Sequence, residues 1–252
     1  MTKIIVVGIN GKMGRAVCEE AKLMDGVEIV AGVDAIASDA CGVPVFQSLS
    51  DCTVSADVIV DFSRPTTLPS IIDFAGKHGA SAVLCTTGYS DEDLSKIAEA
   101  ESRIAIFRSA NMSLGVNVMM HLVKKAATLL KGYDVEITEA HHRYKVDAPS
   151  GTALMLADSV NEALGGVMHY ATDRPSSGKR QANEIGIQSI RGGNIVGQHD
   201  VAFIGDLESV TLSHSANSRS VFAKGALEAA IFIAGKAPGH YDMDDLLLEK
   251  GI

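Results

Sequence analysis

The sequence has no tryptophan, and aromatic residues make up only 5% of its 252 residues. Proteins that bind single-stranded nucleic acid stack the bases on aromatic side chains, so this composition argues against that class. A basic excess is missing as well, because the formal net charge is −9. An acidic surface repels phosphate backbones and anionic lipid head groups. We therefore expect neither a nucleic-acid partner nor a membrane partner.

Cysteines are few, and none of them form a C-x-x-C pair, which argues against a zinc or redox site. Scattered free thiols suit the reducing cytoplasm. The apolar run at residues 4–7 ends at Gly8, which is too short for a signal peptide or a membrane span. The sequence thus predicts a cytoplasmic protein without a metal site. The four cysteines are Cys18, Cys41, Cys52 and Cys85.

Strand and helix patterns alternate over the first hundred or so residues. A β-branched run at 3–7 leads through a glycine turn into a helix at 15–24. Further strands are predicted at 27–33, 57–61, 81–84 and 103–107. A helix is predicted at 66–77, and Ser90 followed by three acids predicts another helix start. This alternation is typical of a Rossmann-type, doubly wound parallel sheet of the α/β class.

The pattern changes after Asn111. We expect a long helix at 114–130, a strand at 133–140, a helix at 150–164 and a loop at 165–183. Three strands then follow one another, at 185–190, 195–204 and 209–213, before helices at 219–235 and 243–249. Consecutive strands without intervening helices predict a second, α+β domain built on a mixed sheet.

Three glycines, Gly8, Gly11 and Gly14, lie between the first strand and the first helix. At such a turn, backbone amides and the helix dipole can hold a pyrophosphate. The spacing is G-x-x-G-x-x-G rather than G-x-G-x-x-G, and Asn10 stands where a middle glycine is usual. Asparagine tolerates positive φ better than most residues, which would preserve the turn. The alternative is an ordinary strand-to-helix turn.

Asp34 ends the second strand, where an acid hydrogen-bonds the adenosine ribose hydroxyls of a dinucleotide. The next cationic residue along the chain is Arg64. A carboxylate at this position repels a 2′-phosphate, so we expect NADH to be preferred, with NADPH as the alternative. Asp34 as a merely solvated strand end is the other interpretation.

A cluster of basic residues at 141–145 stands out in this acidic chain. Pro149 disfavours helix just before it, and Ser150 is a good N-cap, which would expose helix amides at Gly151 and Thr152. Cationic side chains beside a helix N-terminus suit a small anion with more than one carboxylate. A solvated basic face is the alternative. Metal binding by His141 and His142 is disfavoured, since neighbours on a strand point to opposite faces.

Residues 141–153, HHRYKVDAPSGTA, resemble the signature E-x-H-H-x-x-K-x-D-x-P-S-G-T-A of 4-hydroxy-tetrahydrodipicolinate reductases. Segments at 8–14, 61–65, 86–88, 109–117, 191–199 and 214–219 follow in the family's order, so the resemblance covers essentially the whole chain. It implies a nicotinamide-dependent reduction of 4-hydroxy-tetrahydrodipicolinate to tetrahydrodipicolinate, with loss of water. That reaction belongs to lysine and diaminopimelate biosynthesis.

The resemblance also implies roles for individual residues. His141 would be the acid/base residue and Lys145 the proton donor. The substrate carboxylates would be bound by His142, Gly151 and Thr152. The cofactor would be bound by Gly8, Asn10, Gly11, Lys12, Met13, Asp34, Cys85, Thr86, Thr87, Ser109, Ala110, Asn111 and Met112. Cys85 departs from the usual glycine, Met112 departs from a common aromatic residue, and the stretch between Asp34 and Asp61 is shorter than in many members.

The same resemblance implies two domains and an assembly. Residues 1–112 plus 222–252 would form the dinucleotide-binding domain. Residues 113–221 would form a domain for substrate binding and oligomerisation, through which four copies associate as a homotetramer.

Two other function classes compete with this one. A different Rossmann oxidoreductase, such as a semialdehyde dehydrogenase or an amino-acid dehydrogenase, is the first. A semialdehyde dehydrogenase needs a nucleophilic cysteine between its domains, and no cysteine lies in the second domain. The second is a dinucleotide-binding protein without catalysis. Such a protein would be expected to lose His141, Lys145 or the Ser-Gly-Thr turn first, and all are present.

Overall fold

A computed structural model describes residues 1–36 and 41–251 of the chain. These residues divide into two compact units, one made of Met1–Leu114 with Arg219–Ile252 and the other of Gly115–Ser218. Across the described residues we find no helix with the length and apolar character that crossing a membrane requires.

The first unit opens with alternating strands and helices. In chain order these are β1 (Thr2–Val7), α1 (Lys12–Ala21), β2 (Val27–Val33), β3 (Val45–Phe46), β4 (Val58–Asp61), α2 (Leu68–His78), β5 (Ser81–Leu84), α3 (Asp91–Ala100) and β6 (Ala105–Arg108). The second unit follows with α4 (Leu114–Leu129), β7 (Asp134–His141), α5 (Gly151–Ala163), β8 (His169–Ala171), α6 (Arg174–Ser177), β9 (Glu184–Arg191), β10 (Gly197–Ile204) and β11 (Ser209–Ala216). The chain then returns to the first unit with α7 (Ser220–Ile233), β12 (Gly239–Tyr241) and α8 (Met243–Glu249).

The sheet of the first unit is seven-stranded, in the order β12-β6-β5-β4-β1-β2-β3. Every neighbouring pair in it is parallel. The strand order reverses between β1 and β4, and in such sheets ligands bind at the carboxyl ends of the strands around that reversal. The predicted Rossmann-type sheet is therefore confirmed.

Both faces of this sheet are covered, which explains why β1 reads as a continuous apolar run. Ile4 and Val6 point into a cluster shared with α1, α7 and α8, whereas Ile5 and Val7 point into one shared with α2 and α3. The alternation follows from the two-residue repeat of a strand. The carboxyl end of β1, where the glycine turn begins, is thereby fixed from both sides.

The second unit is built on a five-stranded sheet in the order β11-β10-β7-β9-β8. Strand β7 pairs parallel with β9 and antiparallel with β10, so the sheet is mixed, as predicted. Helices α4 and α5 cover one face of it, where Val123 and Leu156 join the buried side chains of Ile137 and Val201. With two strands on each side of it, β7 is the central strand of the sheet.

Sequence patterns missed the shortest elements. The segment 165–183 was expected to be a loop, yet it contains β8 and α6, and β3 and β12 were not predicted either. Elements of two to four residues are too short to show a periodicity. The first helix also begins earlier than predicted, because Gly11 already serves as its N-cap.

The expectation of four free thiols is wrong. Cys18 on α1 and Cys41 form a disulfide, with their Cα atoms 6.0 Å apart, while Cys52 and Cys85 are free. This Cα separation is usual for a disulfide. The two residues are separated by 23 positions in sequence, so spacing alone did not reveal the pair. The cytoplasmic location that rested partly on free thiols stays a prediction.

Candidate active site

Several of the predicted cofactor residues lie at the carboxyl ends of parallel strands in the first unit. Gly8 follows β1, Asp34 follows β2, Cys85 follows β5 and Ser109 follows β6. Since these strands are parallel neighbours, their carboxyl ends share one edge of the sheet. The sequence interpretation had placed a dinucleotide at this edge.

The glycine turn leaves room for backbone to approach a ligand. Gly8 has a φ of +82°, and a Cβ there would lie 2.6 Å from the Phe62 carbonyl oxygen. A Cβ on Gly14 would overlap the Gly8 carbonyl oxygen. Gly11 caps α1 without a side-chain hydrogen bond, so the first helix amides are left to a ligand. A pyrophosphate fits such a turn.

Asn10 plays a different part from the one expected. No non-glycine residue among those described has positive φ, so Asn10 does not replace a glycine in that conformation. Its backbone N–H instead donates to Asp34 Oδ2 over 3.0 Å, and its side-chain Nδ2 donates to the Ile36 carbonyl over 2.6 Å. Asn10 thus ties the glycine turn to the end of β2 and fixes the Asp34 carboxylate.

A cavity of about 270 Å³ opens beside this edge. Most of the residues predicted to bind the nicotinamide half line it, together with two phenylalanines that the sequence did not single out. The lining residues are Met13, Phe62, Cys85, Thr87, Ser109, Ala110, Asn111, Met112 and Phe222. Thr86 instead accepts a hydrogen bond from the Ser63 amide over 3.0 Å. The cavity is mostly apolar with a few polar groups, as small-molecule sites usually are.

Cys85 is unsuited to act as a nucleophile. Burial, with the negative charge of Asp61, raises the pKa of its thiol well above the usual range. A thiol in that state is protonated and inert at neutral pH. Cys85 therefore serves as a lining residue of the cavity. It does not supply the nucleophilic thiol that a semialdehyde dehydrogenase needs.

The predicted acid/base residue, His141, ends β7 in the second unit. Its Nδ1 lies 2.6 Å from Oε2 of Glu139, two residues earlier on the same face of the strand. The Glu139 side chain is fully buried, and Arg191 donates to both of its oxygens, over 2.8 Å and 2.7 Å. Since Nδ1 is engaged, Nε2 is the ring nitrogen that His141 can offer to a ligand. A Cβ on Gly197 would lie 3.1 Å from this Nε2, so the glycine keeps space beside it.

Lys145 lies in the segment between β7 and α5. Its Nζ is 2.8 Å from Oδ1 of Asp147, and this hydrogen bond lowers the pKa of the Asp147 carboxyl. The Asp147 side chain is exposed, whereas that of Lys145 is 21% exposed. Solvent around the Asp147 carboxylate weakens this half-exposed ion pair, so a ligand with carboxylates can compete for the ammonium group.

The residues predicted to bind carboxylate lie at and beside the start of α5. Ser150 caps this helix, as predicted, by accepting a hydrogen bond from the Ala153 amide over 3.2 Å. Gly151 and Thr152 occupy its first two positions, and there is open space where a Cβ of Gly151 would stand. His142 is half-buried, and among the described residues none offers a hydrogen-bond partner to its buried Nδ1. Helix amides with nearby cationic groups suit an anion.

His199 was not among the predicted site residues, and the structure places it against the site. Its Nε2 shares a hydrogen bond of 3.1 Å with Ser150 Oγ, and its ring lies 5.2 Å from the His141 ring in an edge-to-face arrangement. Burial, with a smaller contribution from His141, lowers the pKa of His199 to about 4. His199 is therefore neutral at physiological pH and supports the cap of α5.

Arg191 lies in one of the segments that carry the family resemblance, but neither Arg191 nor Glu139 was among the predicted site residues. One local signal was present, since Glu139 and His141 are two residues apart on a strand and so share a face. Arg191 had no local signal, because it becomes the neighbour of His141 only through the parallel pairing of β7 with β9.

Comparison with known proteins gives two matches to family models. Residues 2–112 match the model described as dihydrodipicolinate reductase, N-terminus, and residues 115–247 match the one described as dihydrodipicolinate reductase, C-terminus. Two curated relatives carry the name 4-hydroxy-tetrahydrodipicolinate reductase. That of Caldanaerobacter subterraneus subsp. tengcongensis is 48% identical over 252 residues, covering 100% of both chains. That of Clostridium novyi is 45% identical over 251 residues, covering 99% of this chain and 100% of the relative.

A solved structure has the same fold. It is described as a dipicolinate-bound dihydrodipicolinate reductase from Paenisporosarcina sp. TG-14, and it superposes with a TM-score of 0.80. The match covers 96% of this chain and 97% of that one at 24% sequence identity.

The lowered pKa of His199 predicts a pH dependence of stability. The unfolded chain takes up a proton at the ordinary value of 6.5, and the folded chain only at about 4. The free energy of unfolding is therefore unaffected by this group above pH 6.5. It decreases as the pH falls towards 4, by up to about 3 kcal/mol, because the unfolded chain binds the proton more tightly. We expect His199→Gln to flatten this part of the profile, measured by urea unfolding at intervals between pH 8 and pH 4. An unchanged slope in the variant would show that His199 is not the group responsible.

Proposed function

Because the chain belongs to the dihydrodipicolinate reductase family, we infer that it reduces 4-hydroxy-tetrahydrodipicolinate to tetrahydrodipicolinate with a nicotinamide dinucleotide. The reaction is a step of lysine and diaminopimelate biosynthesis and releases water. The observation that carries this proposal is the presence of His141, Lys145 and the α5 N-terminus together in one unit of a chain that matches the family over its length.

The anion site of the second unit suits a substrate with two carboxylates. His142 is proposed to contact one of them. The amides of Gly151 and Thr152, with the Thr152 hydroxyl, are proposed to bind the other at the positive end of the α5 dipole. The open space beside Gly151 supports this assignment, because a side chain there would stand between the amides and the ligand.

His141 and Lys145 are proposed to handle protons. With Nδ1 donating to Glu139, the His141 ring exchanges protons with the substrate through Nε2. Lys145 would donate a proton as the ring is reduced, and release of its ammonium group from Asp147 would accompany substrate binding. Proton transfer of this kind typically accelerates a reaction by about 100-fold to 10,000-fold.

The first unit is proposed to bind the cofactor, which supplies a hydride when bound. Gly8, Gly11 and the start of α1, including Lys12, would hold the pyrophosphate, and the residues around the 270 Å³ cavity would hold the nicotinamide half. The proposed preference is for NADH. Asp34 is fixed by the Asn10 amide at the end of β2, and its negative charge would repel a 2′-phosphate.

The first test is a direct assay. We expect fresh 4-hydroxy-tetrahydrodipicolinate, generated in the assay by its synthase, to cause rapid oxidation of NADH and slower oxidation of NADPH. Loss of the absorbance of the reduced nicotinamide measures both rates. Asp34→Ser should shift the ratio of kcat/KM values towards NADPH by about tenfold or more, since it removes one like charge from the phosphate position. Asp51→Ser, at an exposed position of the same unit, is the matched control and should leave the ratio unchanged.

The assay separates the alternatives. Faster oxidation of NADPH by the wild-type chain would keep the reaction and reject the interpretation of Asp34. If the folded protein binds a dinucleotide but oxidises neither NADH nor NADPH, the proposed activity is wrong. The chain is then another oxidoreductase or a non-catalytic dinucleotide-binding protein.

The role of Lys145 has its own test. Lys145→Ala should lower kcat by about 100-fold or more while leaving NADH binding near normal, because the change removes only the proton donor. Lys124→Ala is the matched control, since Lys124 forms a surface ion pair with Glu162 in the same unit. Titration calorimetry with NADH measures the binding. A parallel loss of cofactor affinity would show that Lys145 does not act as the proton donor.

The second unit is also proposed to join four copies of the chain. The sheet face opposite α4 and α5 carries small and polar side chains, as in the row Gln188, Thr138, Asp200 and Ser213, which crosses four strands. These side chains are exposed or half-buried in the single chain. A sheet face with small side chains, together with the family resemblance, supports face-to-face association of sheets.

We expect sedimentation velocity to give a mass four times that of one chain. Ala202→Arg, at the middle of the same face, should lower that mass because it places a charge inside the interface. Ser95→Arg, at an exposed position on α3, is the control and should leave the mass unchanged. A wild-type monomer at micromolar concentration, or assembly that Ala202→Arg does not affect, would contradict the proposed interface.

A further inference from the structure

Glu139 is a fully buried carboxylate with more hydrogen-bond partners than a simple ion pair would need. His141 and Arg191 donate to Oε2, and Arg191 and the Ser150 amide donate to Oε1. We propose that Glu139 and Arg191 are positioning residues, which hold His141, Lys145 and the start of α5 in one arrangement for the reaction. This inference rests on the proposed function, because it assigns these residues to the same site.

The contact between Glu139 and His141 selects one tautomer of the imidazole. Burial by itself would raise the pKa of Glu139, but hydrogen bonds from Arg191, His141 and Ser189 lower it to about 2. The ionised carboxylate can only accept hydrogen bonds, so Nδ1 of His141 must carry the proton. Nε2 of a neutral ring then presents a lone pair, which is the form that accepts a proton from a ligand.

Arg191 extends this control to the segment that carries Lys145. Besides its two bonds to Glu139, Arg191 donates from Nη2 to the carbonyl oxygen of Asp147 over 2.6 Å. The Asp147 side chain in turn holds the Lys145 ammonium group. Lys145 and His141 are therefore linked through the Arg191 guanidinium and the two acidic residues Asp147 and Glu139. The planar fork of an arginine constrains direction as well as distance.

The third contact reaches the proposed carboxylate-binding amides. The Ser150 N–H donates to Glu139 Oε1 over 3.2 Å, at the residue that caps α5. The next two residues are Gly151 and Thr152. A small rotation of the Glu139 carboxylate would therefore move the start of α5 and the His141 ring together. Small displacements of catalytic groups can lower the rate of an enzymatic reaction by about 100-fold.

A purely structural ion pair is the competing explanation, and the chain contains a matched control for it. Glu184 is also a buried carboxylate of the second unit, paired with Arg174, and it lies at the opposite end of β9 from Arg191. Its ion-pair and hydrogen-bond partners in the described part of the chain are His169, Arg174, Arg180 and the Gln181 amide, and none of these is proposed to act on the substrate. Glu139→Gln and Glu184→Gln each replace one buried carboxylate by its amide, so both should lower the melting temperature.

Only Glu139→Gln should impair the reaction. We expect its kcat to fall by about 100-fold or more, with NADH affinity unchanged, whereas Glu184→Gln should keep kcat within about threefold of wild type. The tautomer supplies a second readout that a structural role would not move. Two-bond proton–nitrogen spectra of histidine-labelled protein, with His141→Gln to assign the signal, should show Nδ1–H in the wild type. In Glu139→Gln the amide can donate to Nδ1, so the proton should move to Nε2.

The outcomes are separable. A kcat within about threefold of wild type for Glu139→Gln, or equal kcat losses in the two variants, would overturn the proposal. If Glu139→Gln does not fold, Arg191→Lys keeps the charge without the fork. It should lower kcat while His141 retains Nδ1–H, and full activity in it would overturn the role of Arg191. A wild-type chain without reductase activity would reject the proposed function, and the tautomer spectra would still decide whether Glu139 orients His141.

Discussion

The removal of one carboxylate from water constrains the whole second unit. Glu139 lies within the sheet, fully buried and ionised, and a buried charge is stable only when its oxygens are paired. Four hydrogen bonds meet this need, and their donors lie on three pieces of chain: His141 at the end of β7, Arg191 at the end of β9, and Ser150 at the cap of α5. The requirement to compensate a single charge therefore brings together segments whose own backbones would otherwise be free to vary.

In the first unit, the close approach of backbone segments is the main constraint on the predicted cofactor site. Its ligand edge is formed by the ends of parallel strands, and the turn after β1 is so close to Phe62 and to its own helix that only glycine fits at Gly8 and Gly14. Side chains contribute beside this turn: Asn10 and Asp34 form a hydrogen bond at the end of β2, and other side chains line the cavity. The proposed cofactor site thus consists mainly of amides and apolar surface, and the proposed substrate site mainly of charged groups beside a buried carboxylate.

Much of this was accessible from sequence, wherever the cause is local. The alternation of strands and helices, the caps at Ser90 and Ser150, and the mixed sheet after Asn111 follow from periodicity and capping, and the structure confirms them. What failed depends on distance along the chain. Arg191 reaches Glu139 across 52 residues, and Cys18 meets Cys41 across 23. No local pattern encodes either contact. The carboxylate-binding and acid/base assignments stay predictions, since they rest on resemblance joined to geometry.

The return of the chain to the first unit has a consequence for synthesis on the ribosome. One face of the seven-stranded sheet is covered by Ala226, Leu227 and Ala230 of α7, which also packs on α1, and β12 completes the sheet beside β6. These residues emerge after the whole of the second unit. The second unit, Gly115–Ser218, is continuous and leaves the ribosome whole, while Ile4, Val6 and Val60 still lack their cover. Nascent chains therefore carry an exposed apolar sheet face until α7 and α8 have emerged, and exposed apolar surface of this kind is what chaperones bind.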